Sequence, residues 1–297
     1  MRTKLFLETP AIFSFRHTVY SHGWSELLPL QLDDKHWRLA CVLDSGSAKP
    51  ISAVIYESDG GLSIEVSGKK LNEQKLFADV RHMLRLDDPL EEFYRLTDNE
   101  ERLSWVSVSK AGRLIRSATV FEDMVKTMCT TNCSWALTKN MVRNLVNNLG
   151  EPAIGGGRAF PTPQAMASVS EKFYRDEIRA GYRSPYFLEL AKAVVSGRVN
   201  PESWLTSDLP TAELKKEIKN VKGFGDYAAD NLLKLIGRYD GLALDSWLRS
   251  QFYKKHNREK VCPDKKIQRH YTKFGEWRGL AMWCDMTERW FDDNLLN

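Results

Sequence analysis

Two apolar-striped helices joined by Lys222-Gly223-Phe224-Gly225-Asp226 constrain this chain more than any other feature. Leu214, Ile218 and Val221 form the apolar side of the first helix, and Ala229, Leu232, Leu233 and Ile236 that of the second. Two glycines flanking one apolar residue allow a tight turn with positive φ values, and Phe224 can pin that turn to a core. Such a turn aims successive backbone N–H groups outward at the start of the second helix, where they bind a phosphate without regard to base sequence. Lys215, Lys216, Lys219 and Lys222 add charge nearby. The same glycines would also serve an αα-corner that needs them for sterics alone.

The first hundred residues read mainly as β. The runs 37–44, 51–57 and 62–68 are rich in Val, Ile and Tyr, and the last two flank a tight-turn sequence, Asp59-Gly60-Gly61. Ala53, Ile55, Ile64 and Val66 line apolar faces at period two, after which Leu76, Val80, Met83 and Leu84 switch to a helical stripe. From about residue 100 the pattern is almost wholly helical. Ser117 or Thr119 caps a helix striped by Phe121, Met124, Val125 and Met128, a second runs through Met141–Leu149 to Gly150, and a third through Phe187–Val195 to Gly197. Residues 151–163 form a loop by their glycines and prolines. The expected fold class is α+β, with a β-rich domain over 1–100 followed by an all-helical domain over 101–297.

Charge follows the same division. Residues 1–100 carry 12 Lys/Arg against 16 Asp/Glu, and residues 101–297 carry 31 against 23, so a polyanion is expected to dock on the second part. No stretch approaches the roughly 18 uninterrupted apolar residues of a membrane helix. Glu8 and Pro10 interrupt the only apolar run near the start, so no signal peptide is read and a cytoplasmic or nuclear, non-secreted protein is expected. The five cysteines are scattered. Cys129 and Cys133 have a helical spacing that could put two thiols on one face, but further ligands are lacking, so reduced structural cysteines and no metal are expected.

The run Val221–Asp230 resembles the hairpin of the HhH-GPD superfamily of DNA glycosylases. Leu242-Ala243-Leu244-Asp245 resembles the end of that family's Gly/Pro-rich loop, without its usual prolines, and Asp245 follows Tyr227 by 18 residues, a separation found in the family. Cys129-Thr130-Thr131-Asn132 is similar to the Ser-Ser-Asn turn of the 8-oxoguanine branch, and Ala180–Tyr186 to its Leu-Gly-Tyr-Arg-Ala-Arg-Tyr element. Phe274–Trp283 resembles the last core helix, and the first hundred residues resemble the β-rich N-terminal domain shared by the alkyladenine and 8-oxoguanine branches. The strong part of the resemblance spans about 118–290.

The resemblance implies a monofunctional DNA glycosylase that flips a damaged purine out of duplex DNA and excises it hydrolytically in base excision repair. Asp245 would be the catalytic carboxylate. A carboxylate held near C1′ can stabilise the oxocarbenium character that develops on the sugar and can position or deprotonate water. Asp245 is equally well placed as a helix N-cap, and both roles can hold at once. Tyr227 stands where bifunctional members carry a Schiff-base lysine, and a phenol cannot form the imine that leads to strand cleavage. An aromatic residue there also tilts the expected lesion toward an alkylated rather than an oxidised purine.

Tyr227, Asn231 and Trp283 would line the base pocket, although Trp283 could equally be a core residue. Lys222, Gly223, Phe224, Gly225 and Asp226, with Asn132, Tyr182 and Arg183, would contact DNA, Asn132 filling the gap left by the flipped base. An opposite-base arginine of the 8-oxoguanine branch falls here on about Leu137. Lys222 reads as a phosphate contact and Lys234 as surface charge. The basic run from Lys254 to Arg269 reads as a solvated loop that attracts DNA at long range. Only Cys262 and Cys284 remain where some relatives hold an iron–sulfur cluster, so no cofactor is expected. A monomer acting on damaged duplex DNA, away from membranes, is the expected form. The alternative is a non-catalytic lesion- or DNA-binding protein that keeps the hairpin without turnover, and a third reading is a helical adaptor with a glycine corner.

Overall fold

A computed structural model describes residues 2–295 except 45, 47, 48, 69 and 70, with side chains to residue 291. Five strands, β1 (Arg2–Glu8), β2 (Gln31–Asp33), β3 (Arg38–Leu43), β4 (Ile51–Ser58) and β5 (Gly61–Ser67), form one antiparallel sheet in the order β1-β5-β4-β3-β2. Period-two patterning decides which face is buried. Leu39, Cys41 and Leu43, then Ile51, Ala53 and Ile55, then Leu62, Ile64 and Val66 all turn into the core, and Ile55 pairs directly with Ile64. The turn at Gly60 lies where the Asp-Gly-Gly sequence places it. Strands β1 and β2 are additions to the sequence reading. In β1 the inward residues are too few to stand out before the pairing of Leu5 with Ile64 is known.

Among the described residues up to 108 there are four α-helices: α1 (Phe15–Val19), α2 (Glu73–Leu84), α3 (Glu91–Asp98) and α4 (Ser104–Val108). Then come α5 (Val120–Thr130), capped by the Thr119 hydroxyl, and α6 (Trp135–Leu149), capped by Ser134. Short α7 (Pro163–Ala167) and α8 (Glu171–Asp176) lead to α9 (Ser184–Val195), α10 (Thr211–Lys219) and α11 (Asp226–Leu235). The last three are α12 (Ser246–His256), α13 (Asp264–Tyr271) and α14 (Arg278–Leu295). The architecture is α+β.

Two apolar cores result. One unites the sheet and α2 with α5, α6 and α9–α11, through residues such as Ile55, Val80, Met124, Val142, Phe187 and Leu232. The other joins Phe93 and Val106, on either side of the expected domain boundary, to Leu248, Phe252, Ile267 and Leu280 in α12–α14. Packing therefore crosses residue 100 in both cores. Burying this much apolar surface is the main force holding the N-terminal sheet against the helices.

A polar joint reinforces it. Arg85, fully buried with left-handed φ of 57° at the end of α2, donates from Nη1 to the carbonyls of Lys234 (3.1 Å) and Leu235 (2.7 Å). Arg116 Nη1 reaches the same Leu235 carbonyl at 3.3 Å. Two cations thus occupy the negative end of α11, satisfying carbonyls that the helix leaves open.

The cysteine expectation is corrected in one respect. Helix α5 ends at Thr130, so Cys129 and Cys133 do not share a helical face; Cys129 is buried and the Cys133 thiol bonds back to the Cys129 carbonyl at 2.9 Å. All five thiols are free. Among the described residues no helix is long and apolar enough to cross a membrane.

Candidate active site

The turn between α10 and α11 has the expected shape with one exception. Gly223 adopts φ of 93°, and a Cβ there would meet Tyr186 at 3.1 Å and Met128 at 3.3 Å, so glycine is needed for conformation and for space. Gly225 is different. Its φ of −86° and ψ of −173° are ordinary extended backbone, and a Cβ would meet nothing within 4 Å. The expectation of two positive-φ glycines is therefore corrected to one. Gly225 is the N-cap of α11 and offers no side chain, so the first N–H groups of α11 have no capping acceptor. Phe224, 4% exposed, pins the turn to the core as its apolar character requires.

The lysines around the turn are already partnered. Lys215 contacts Asp230 (2.7 Å) and Asp226 (3.4 Å), Lys219 contacts Asp226 (2.9 Å), Lys216 contacts Glu213 (2.7 Å), and Lys222 contacts Glu189 (3.0 Å). The Lys219 hydrogen bond holds the Asp226 carboxyl below its ordinary range. Exposed pairs like these contribute little to stability and exchange partners readily, so each lysine can turn to a phosphate. Asp226 is thus a ligand of lysines.

Asp245 is the N-cap of α12: Oδ1 accepts from the Leu248 N–H at 2.7 Å. Oδ2 faces the Tyr227 hydroxyl at 3.5 Å. Burial, and then the Asp245 charge, push the Tyr227 phenol up to about 12, so it remains a neutral donor. Asn231, one turn further along α11, donates from Nδ2 to the Tyr227 carbonyl at 3.0 Å. The loop before Asp245 is held by a close approach that only glycine permits. Gly279, at the start of α14, donates to the Tyr239 carbonyl at 2.6 Å, and a Cβ on it would lie 2.1 Å from the Gly241 carbonyl oxygen. Ala243 in this loop takes the left-handed φ of 49° that a non-glycine residue adopts only at a cost.

Trp283, half-buried on α14, donates from Nε1 to the Ser21 carbonyl at 3.0 Å and packs near Trp247, Trp290 and the ring of His22. Lys234 lies over its ring, with Nζ 5.1 Å from the centroid. The reading of Lys234 as surface charge is overturned: the residue is 3% exposed, two turns along α11 from Tyr227 and on the same side. Burial depresses its ammonium to about 8, against the pull of the Asp230 and Asp245 carboxylates.

On the far side of the hairpin, Asn132 is exposed at φ of 46°, with Nδ2 3.4 Å from the Tyr182 hydroxyl. Tyr182 is 49% exposed, its hydroxyl 3.2 Å from Thr131 Oγ1. Arg183 is buried beneath them, donating to the Met128 carbonyl (3.1 Å), the Thr131 hydroxyl (3.2 Å) and the Thr131 carbonyl. Its guanidinium braces the turn that presents Asn132 and Tyr182. Leu137 is exposed at the start of α6.

Among the described residues one group has metal-ligand chemistry: His256, His270 and Asp285, with ligand atoms within 4.8 Å of one another. Asp285 is already engaged by His256 (2.7 Å), by the Tyr271 hydroxyl (2.6 Å) and by the Lys255 ammonium (2.8 Å), which brings a cation of its own. The reading of Lys254–Arg269 as one loop is corrected: Lys254 and Lys255 close α12, with Lys255 ion-paired, Lys265, Lys266 and Arg269 lie on α13, and only Arg258 and Lys260 sit in the loop between. Two clefts of about 590 and 430 Å³ lie elsewhere, and neither is lined by Asp245, Tyr227 or Trp283.

Comparison with known proteins extends this geometry. No family model matches the chain. An N-glycosylase/DNA lyase of Saccharomyces cerevisiae is 22% identical over 227 residues, which is 71% of this chain and 60% of that protein's length. A 3-methyladenine DNA glycosylase from Archaeoglobus fulgidus superimposes with a TM-score of 0.76 at 17% identity, covering 97% of this chain and 99% of the other. An 8-oxoguanine glycosylase/lyase from Clostridium acetobutylicum, in complex with dsDNA containing cytosine opposite 8-oxoG, gives a TM-score of 0.72 at 17% identity and 98% coverage of both chains. The chain shares the fold of these two solved structures over nearly its whole length.

Proposed function

We propose that this chain is a monofunctional DNA glycosylase that flips an alkylated or oxidised purine from duplex DNA and hydrolyses its N-glycosidic bond in base excision repair. One observation carries the reading: Tyr227 and Asp245 face each other at 3.5 Å, at the point where the hairpin helix meets the loop before α12. Asp245 Oδ1 is fixed by the cap, which leaves Oδ2 to stabilise positive charge at C1′ and to orient water. Tyr227 supplies a neutral hydroxyl there and no amine, so no imine forms at that position. The name of the yeast relative includes lyase activity, and Tyr227 is the residue that sets this chain apart on the present reading.

The remaining residues take supporting roles on this reading. Gly223 and Gly225 let the backbone at the start of α11 approach a phosphate, and Lys222 exchanges Glu189 for it. Asn132 and Tyr182 fill the gap left by the flipped base, braced by Arg183, and Trp283 stacks on the base. Residues 1–100 and 101–297 act as two units on shared cores, and the protein works as a monomer.

Single-turnover assays on duplexes carrying different lesions test the proposal. Base release by the wild type and none by Asp245→Asn supports it. Tight binding to every duplex without release would establish a non-catalytic DNA-binding protein instead.

A further inference from the structure

We propose that Lys234 is a specificity-determining residue of the base pocket, donating to a carbonyl oxygen of a neutral purine and repelling a purine made cationic by N-alkylation. The inference deepens the glycosylase reading and rests on it. Tyr227, Asn231 and Lys234 follow one another at i, i+4 and i+7 along α11, so they share the face of the helix that looks toward Asp245. Lys234 Nζ reaches from that face to the Trp283 ring, 5.1 Å from its centroid. A base lying between α11 and Trp283 must therefore meet the ammonium group.

Among the described residues Lys234 forms no ion pair, although it is only 3% exposed. Asp230 is engaged by Lys215 at 2.7 Å, and Asp245 by the α12 backbone. The neighbouring His22 adds no negative charge: burial lowers it to about 3 and keeps it neutral, bonded to the Ile115 carbonyl at 2.6 Å. Cys284 is likewise neutral, its thiol pushed up to about 12 by burial.

A buried ammonium without its own acceptor is costly, and a ligand oxygen placed against it recovers part of that cost. A purine carbonyl is such an oxygen. A second positive charge is the opposite: at close range in a poorly solvated pocket it is strongly disfavoured. The same position over an aromatic ring strengthens the ammonium's own hold, since the Trp283 π-face attracts it and keeps it in the pocket.

The pH behaviour follows. The groups facing Lys234 are Asp230 on its own helix, Asp245 before α12, Cys284 on α14 and His22 from the N-terminal part. The carboxylates favour the charged amine and burial opposes them, which leaves it about 8. Discrimination against cationic bases is thus full near neutral pH and fades as pH rises through that value.

The experiment measures binding to duplexes that cannot be cleaved because the target nucleotide carries a 2′-fluorine. One holds 8-oxoguanine, a neutral purine with two carbonyls, and the other 7-methylguanine, which is cationic. At pH 7 the wild type should bind the first at least about tenfold more tightly, corresponding to one charged hydrogen bond. Lys234→Met keeps the apolar stem and should reduce the ratio to about twofold. Lys234→Gln gives a second reading should the Met variant fold poorly. Equal binding of the two duplexes by the wild type, or a preference that survives both substitutions, overturns the proposal. Release is scored separately on the unfluorinated duplexes. A preserved binding preference with no base released from any duplex would remove the glycosylase reading and leave the role of Lys234 standing.

Discussion

The Tyr227 hydroxyl points at the one oxygen of Asp245 that the helix cap leaves open, 3.5 Å away. The cap fixes the carboxylate in place, and the phenol, held neutral, adds a donor beside it. On the proposed mechanism, structural and chemical roles are divided between the two oxygens of a single side chain.

That division separates two substitutions. Asp245→Asn keeps a good N-cap and should abolish base release while leaving DNA affinity within a few-fold, because phosphate contacts carry affinity. Asp245→Ala should also lose about 1 kcal/mol of stability through the missing cap. Single-turnover kinetics, duplex binding and thermal melts check both. Near-normal release by the Asn variant would strip Asp245 of its chemical role.

The two hairpin glycines should behave differently. Gly223→Val forces a branched residue into positive φ against Tyr186, and a loss of about 1–3 kcal/mol is expected. Gly225→Val meets open space and should cost no more than about 1 kcal/mol, as a poorer cap. Its DNA binding should still fall, and equally for lesion-bearing and undamaged duplexes, since a backbone phosphate contact carries no base information. A selective loss on the lesion duplex would contradict this.

Borohydride should trap no covalent complex with DNA, and strand breaks should appear only after alkali or heat. Tyr227 has no amine, and Lys234, a buried amine that feels the Asp245 charge, is assigned on the proposal to the base rather than to the sugar. A trapped adduct that disappears in Lys234→Met would show that the amine reaches C1′ and that the enzyme is bifunctional.

Acid should destabilise the fold through buried histidines. Burial takes His22 from 6.5 to about 3 and His82 likewise to about 3. The unfolded chain then binds more protons than the native one between those values. Stability is therefore complete above about pH 6.5 and falls as pH drops toward 3, by an amount on the order of a few kcal/mol for His22. Thermal melts between pH 7 and 4.5 read this slope, which should be shallower in His22→Asn; an unchanged slope would place the acid sensitivity elsewhere.

Much of this site was legible in the sequence because its parts are local. The glycine turn, the stripes of α10 and α11, and an aspartate before a helix all lie within 38 residues, at 212–249. What could not be read depends on residues far apart in the chain. Lys234 looks like any lysine near a helix end, and only the fold, which places it over the Trp283 ring, shows that it is enclosed. Arg85 looks like a polar residue closing a helix, and only the fold takes it to carbonyls 149 and 150 residues away. Gly225 shows a third limit, since composition suggests a left-handed residue but backbone geometry assigns that task to Gly223 alone. The positive φ of Ala243 has no sequence signal at all.

The bond from Trp283 to the Ser21 carbonyl bears on how the protein is made. It joins residues 262 positions apart and sets the His22 ring beside Trp283, over which Lys234 lies. During synthesis the turn at 222–226 emerges from the ribosome well before α14 does, and a chain at that stage lacks Trp283 and the bond it makes to Ser21. The corner where Trp283, Lys234 and His22 meet is complete only when an early segment and a late helix close on each other, so truncation before α14 removes it whatever becomes of the hairpin.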